Sequence, residues 1–487
     1  MHDISNADAS GEAGALSKAH ALRALPAVDR VLLEPSVELL LEHVSRAQCT
    51  AWIRGAIAEM RQRMSASSDG QPLLSDATTI MEKVVSQVHI RAASEGLRQF
   101  RPVINGTGTL LHTNLGRAPL APRAAEAMHR ASGFTNVEMD LETGTRSRRG
   151  QRVSELICEL TGAEDAVVVN NCAAATVLVL QAIAQGREVV ISRGQLVEIG
   201  GGFRLPDVFR AAGVQLREVG TTNRTYVHDY EQATGEGTAA WIRVHRSNFV
   251  QEGFVTEPTI SELVRAQRPP GVALIDDIGS GWIGASKQLS HPQYAKLFAK
   301  EPSVIASVED GTDLSLFSGD KLFGGPQAGI VIGKRAWIER LRKSPMMRAM
   351  RPDKMTLAGL EATVELHLAE RADLLPLYQM LECDINDLRA AADSVVQQLH
   401  DVPNLDAKVI ECQSTIGGGS MPTVVLPSRG VELTVPSSEQ FARLLRIGAP
   451  SVVGRIIATG LLIDMRTVLA DQRSRLTDAL KTAANAM

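Results

Sequence analysis

The segment Ser318-Gly-Asp-Lys-Leu-Phe-Gly-Gly-Pro-Gln-Ala-Gly329 sets one lysine, Lys321, among glycines just before an apolar run, Ile330–Ile332. A lysine at such a turn is placed to point into a cleft. Held away from water, its ammonium loses solvation, its pKa falls and the amine becomes nucleophilic near neutral pH. That is the requirement for covalent chemistry with a carbonyl. The segment does not match GxxxxGK[ST], so it is no nucleotide-triphosphate loop. Upstream, Val272-Ala-Leu-Ile-Asp-Asp-Ile-Gly-Ser-Gly281 reads as a buried strand ending in two carboxylates and a glycine turn. Asp277 borders the turn, at the carboxyl end of the strand, where open α/β sheets bind ligands. Further upstream, Val167-Val-Val-Asn-Asn-Cys-Ala-Ala-Ala175 is a strand running into a helix start. There the backbone N–H groups of Asn171, Cys172 and Ala173 form a cradle for a phosphate, and the small side chains permit close approach. Taken singly, the three read equally well as a solvated lysine in a turn, a capping Asp and an ordinary N-cap. Their conjunction carries the chemistry.

Such groups need a rigid scaffold. The 487 residues exceed one ordinary core, which predicts a large domain with smaller ones. Short β-branched runs (166–169, 188–191, 241–244, 272–275 and 328–332) alternate with helical stretches from Val103 onward. The pattern predicts an α/β domain with a buried, mostly parallel sheet over 101–354. Residues 355–487 read as a small α+β domain with strands at 408–410, 423–426, 452–457 and 461–464. Before the large domain come a polar tail (1–20), a helical unit (21–68) opened by Pro26 and Asp29, and a linker helix (69–100) with a polar start, SASSDGQP. The run 166–184 is long enough to imitate a membrane span, but Asn170 and Asn171 would lie unpaired in hydrocarbon. A strand, a polar turn and a helix are expected instead. Five cysteines without paired spacing argue against disulfides and structural zinc, so no metal is expected and a reducing cytoplasm is. Net charge is −4, so a polyanionic partner must find a local basic patch.

Phosphate turn, Asp strand and Lys turn follow one another in the order found in the fold-type I pyridoxal-phosphate (PLP) enzymes. Beyond them, INGTGTLLHTNLGRAPL (104–120), LTGAEDAVVVNN (160–171), SRGQLVEIGGGFRLPDV (192–208), VGTTNRT (219–225), VHRSNF (244–249), DIGSGW (277–282) and SGDKLFGGPQAG (318–329) resemble bacterial selenocysteine synthase, L-seryl-tRNA(Sec) selenium transferase. The likeness extends to LPAVDRVL near residue 25 and LLIDMRTV near 461, nearly the whole chain.

The resemblance implies that Lys321 carries PLP as a Schiff base and that Asp277 pairs with the ring nitrogen. Seryl-tRNA(Sec) would lose its β-hydroxyl to give an aminoacrylate, to which selenium from selenophosphate adds. The sequence names neither the acid that protonates the leaving hydroxide nor the residue stacked on the ring. Arg117, Arg149, Arg348 and Arg351 match family arginines and are expected to bind selenophosphate, since guanidinium forks suit oxyanions. Residues 338–354 hold six basic and two acidic side chains, which favours an anion. The helical unit would grip tRNA, and Thr221 and Thr222 lie in a motif that supports a ring of dimers, such as a decamer. Trp282 and His245 are given no chemical step. Cys172 stands where the family has a third Asn, and GTRSRRG departs from the family's GKRGSR, which puts Arg148 in doubt. The alternative is a related PLP lyase acting on a small phosphorylated amino sugar acid.

Overall fold

A computed structural model describes residues 24–66, 76–96, 99–284, 289 and 292–487. The chain divides into two compact units between Pro102 and Val103. The expected tail, and the linker beyond Ala66, lie outside the described residues.

In the first unit, two helices, α1 (Arg46–Ala66) and α2 (Ala77–Gly96), pack through Ile53, Ile57, Ile80, Val84 and Val88. The helix expected from Pro26 onward is broken into Val28–Leu32, Pro35–Glu38 and a 3₁₀ turn, Leu39–Glu42. Pro35 is the cause. It has no N–H to donate and forces Glu34 into an extended backbone (φ −66°, ψ 127°).

The second unit is built on a seven-stranded sheet: β1 (Asp165–Val169), β2 (Glu188–Ser192), β3 (Gln215–Val219), β4 (Thr238–Val244), β5 (Ala273–Gly279), β6 (Leu314–Ser318) and β7 (Gly329–Gly333). Its order is β1-β7-β6-β5-β4-β2-β3. Only β7 is antiparallel to its neighbours, so β1, β5 and β6 run the same way and end at one edge. Both faces are covered. On β1, Val167 and Val169 enter one core while Ala166 and Val168 enter the other; on β7, Val331 is separated likewise from Ile330 and Ile332. Period-2 alternation inside a continuous apolar run is what a doubly covered strand requires. Two strands were not expected. β3 is an edge strand carrying Gln215, Arg217 and Glu218, and β6 is interrupted by Ser315 and Ser318, so neither shows a β-branched run.

Helix α3 (Gln151–Thr161) covers the sheet face lined by Ala166 and Val168, and α4 (Cys172–Ala184) the other. The stretch 166–184 is thus β1, a turn and α4, as the sequence predicts. No helix among the described residues is long and apolar enough to cross a membrane. Helix α5 (Lys354–Leu368) packs with α3 through Leu357, Leu360 and Val364. After it come four strands in the order β8-β9-β11-β10: β8 (Asp406–Gly417), β9 (Ser420–Thr434), β10 (Arg455–Ile457) and β11 (Gly460–Asp464). β8 and β9 form one long hairpin where short pieces were expected. The expected strand 452–457 is split at Gly454: Ser451–Val453 pairs with Val103–Asn105, and β10 pairs with β11.

Candidate active site

The carboxyl ends of β1, β5 and β6 deliver the three sequence-predicted elements to one place. Lys321 follows β6 by three residues and is buried, with 5% exposure. The turn that holds it is tight. A Cβ on Gly319 would stand 2.6 Å from the Pro326 carbonyl oxygen, and one on Gly281 (φ +75°) 2.6 Å from that of Ser318. Burial drives the Lys321 ammonium pKa down and Arg117 adds to this, against the pull of Asp320 and Asp277.

The pleat of β5 separates its two carboxylates. Asp276 faces Arg243, directly opposite on β4, and accepts both of its guanidinium bonds at 2.8 Å; it also accepts one from the Ser307 hydroxyl at 2.6 Å. Asp277 turns the other way, toward α4 and Lys321. The Thr176 hydroxyl donates to its Oδ2 at 3.2 Å. Burial pushes its carboxyl up to about 7, against the attraction of Lys321 and the Thr176 bond. Thr176 sits one helical turn after Cys172 and was not singled out in the sequence. Its i, i+4 spacing from the helix start is the signal that could have found it.

Asn171 caps α4, its side chain accepting from Ala174 N–H at 2.8 Å. The amides of Cys172 and Ala173 belong to the first turn, which lacks intrahelical acceptors. Gly329 on β7 has no side chain, and a Cβ there would overlap the Asn171 carbonyl. Burial raises the Cys172 thiol far above its ordinary range, so it stays protonated. A buried amine, a buried carboxyl and a helix N-terminus, grouped at one sheet edge, fit the aldehyde, ring nitrogen and phosphate of PLP.

The four arginines are not gathered into one group. Arg117 lies beside Lys321, held by Asp320 at 3.0 and 3.2 Å, in a left-handed backbone (φ 62°). Arg149, Arg348 and Arg351 line a separate cavity of about 420 Å³ with Arg146, Arg148 and Arg342. At its wall Glu138 accepts from Arg146 and Arg149, both at 2.9 Å, with Arg351 at 3.6 Å, and the arginine bonds hold its carboxyl below the usual range. Trp282 is a core residue stacked on Phe298 at 4.0 Å. The His245 backbone N–H donates to the Asp277 carbonyl at 2.9 Å, and its ring Nε2 lies 3.3 Å from Glu301.

The architecture and its ligand edge are those of the fold-type I PLP enzymes. One solved structure with this fold, a D-glucosaminate-6-phosphate ammonia-lyase, superposes with a TM-score of 0.52, covering 80% of this chain and 96% of that one. Its identity is 22%, so this likeness concerns the fold alone. The family is narrower. Residues 103–469 match the L-seryl-tRNA selenium transferase family, and residues 22–61 match the selenocysteine synthase N-terminal family. An L-seryl-tRNA(Sec) selenium transferase of Geobacter sulfurreducens is 41% identical over 469 residues, 95% of this chain and 99% of that protein. One from Aquifex aeolicus is 43% identical over 78% of this chain and 83% of its own. The chain belongs to the L-seryl-tRNA selenium transferase family.

Proposed function

We propose that this protein converts L-seryl-tRNA(Sec) to L-selenocysteinyl-tRNA(Sec), with selenophosphate as selenium donor and PLP held on Lys321. The observation that carries the reading is Lys321 itself, an amine 5% exposed at the sheet edge shared with Asp277 and the α4 N-terminus. PLP, when bound, supplies an electron sink for a Cα carbanion and so permits loss of the β-hydroxyl.

The chain's residues do the rest. Lys321, kept neutral by burial, takes the Cα proton. Asp277 as a carboxylate pairs with the ring nitrogen, and Thr176 orients it. Asn171, Cys172 and Ala173 hold the phosphate through backbone N–H groups. Arg117 is the arginine placed to meet selenophosphate beside Lys321; Arg149, Arg348 and Arg351 form the second part of the anion site. The helical unit within 21–68 grips the tRNA, dimers assemble into a ring, and the enzyme works in the cytoplasm.

The test supplies purified protein with PLP, seryl-tRNA(Sec) and selenophosphate and identifies the amino acid recovered from the tRNA. Selenocysteine is expected. Serine recovered unchanged, from protein that has bound PLP, would overturn the reading.

A further inference from the structure

The tip of the β8–β9 hairpin stands over Lys321. Gly417, Gly418 and Gly419 have φ of 73°, 67° and 73°, a backbone open to glycine without strain. A Cβ on Gly419 would lie 3.9 Å from Lys321 Nζ and 3.8 Å from Ser247 Oγ. On the far side of this tip is a second cavity of about 860 Å³, walled by the start of β9 from Met421, the loop after β4 and the segment around Lys296–Glu301. It shares an inner wall with the lysine site. Met421 follows Gly419 by two residues, and His245, which lines the cavity, is bonded through its backbone to Asp277.

The cavity's contents point to a ligand. Phe249 and Val250, 40% and 45% exposed, offer an apolar shelf at its mouth. The Glu301 side chain is 5% exposed, and its Oε1 is buried without a hydrogen-bond partner. A desolvated carboxylate oxygen without a donor is costly, and a ligand hydroxyl would satisfy it. Lys296 and Lys300 stand on the outer wall against Glu252, while Arg246 is paired with Glu257 at 2.7 Å.

We propose that this cavity receives the 3′-terminal nucleoside of the aminoacylated tRNA, an inference that rests on the function proposed above. A seryl group whose amine meets Lys321 has its carboxyl esterified to a ribose, so the substrate must continue outward past Gly419. The terminal base stacks on Phe249, which serves any base because each has a π face. The free ribose hydroxyl beside the ester donates to Glu301 Oε1, as acidic residues do in other nucleotide sites. The phosphates lead out toward Lys296 and Lys300.

The test is a kinetic double cycle on the PLP-loaded enzyme, comparing seryl-tRNA bearing an intact terminal adenosine with the same tRNA bearing an abasic terminal ribose. Phe249→Ala is expected to raise KM for the intact substrate roughly 5- to 150-fold, the range of one base–aromatic stack, with kcat unchanged. On the abasic substrate it should do nothing further. Glu301→Ala should show the same pattern against a terminal 2′-deoxyribose. Unchanged KM, or effects that simply multiply, would overturn the subsite while wild-type turnover left the function standing. Failure of wild-type enzyme to convert intact seryl-tRNA would overturn both.

Discussion

Asp277→Asn should make the cofactor-free protein more stable at alkaline pH while it destroys turnover. The folded carboxyl is pushed from 3.8 up to about 7 by burial. A carboxyl with a raised folded pKa binds its proton more tightly when folded. Its contribution to stability is therefore complete below about pH 4 and is lost as pH rises through 7. Roughly three units at 1.36 kcal/mol each amount to about 4 kcal/mol, of which about 3 kcal/mol falls between pH 5 and pH 8. Asparagine cannot ionise and should escape that loss. Denaturant unfolding of cofactor-free wild type and variant at the two pH values isolates the effect, because their other titrating groups cancel. The variant's advantage should grow by about 3 kcal/mol from pH 5 to pH 8. Parallel stability curves would show that the carboxyl is not desolvated, and the account of its pairing with a ring nitrogen would lose its basis. Activity should move the opposite way, because a neutral amide cannot hold that nitrogen protonated.

Thr176→Val removes the hydroxyl that favours the ionised form of Asp277. The acid limb of the pH–rate profile should move to higher pH, with kcat falling by about fivefold, the value of one hydrogen bond of ~1 kcal/mol. Gly329→Ala drives a methyl into the Asn171 carbonyl and displaces the α4 N-terminus. An overpacking cost of about 1–3 kcal/mol should weaken PLP retention roughly tenfold in equilibrium dialysis, with the circular dichroism spectrum unchanged. Arg348→Ala and Arg351→Ala should each raise KM for selenophosphate about tenfold or more and leave KM for seryl-tRNA unaltered, as expected for lost charge-assisted bonds. Arg117→Ala frees Asp320 beside Lys321, so both KM and kcat should respond.

The site was legible wherever a chemically necessary residue ends a buried strand. β1, β5 and β6 hand Asn171, Asp277 and Lys321 to one edge, and burial on both faces makes β1 and β5 apolar runs that a reader can find. Pairings across the chain were not legible. Arg117 and Asp320 lie 203 residues apart, and only the fold shows that Arg117 stands apart from Arg149, Arg348 and Arg351. The hairpin over Lys321 was missed because half-exposed strands such as β8 carry polar residues on alternate positions, and three successive glycines read as a simple loop. Pro35 was in plain view, and its power to break the first helix was undervalued against the apolar spacing around it.

The central claim is that one buried amine, that of Lys321, holds the cofactor. Borohydride reduction of the PLP-loaded protein, followed by proteolysis and mass spectrometry, tests it directly. The account predicts a phosphopyridoxyl group on the peptide containing Lys321 and none on Lys321→Ala protein treated alike. A group fixed to any other lysine, or the same label in the variant, would contradict it.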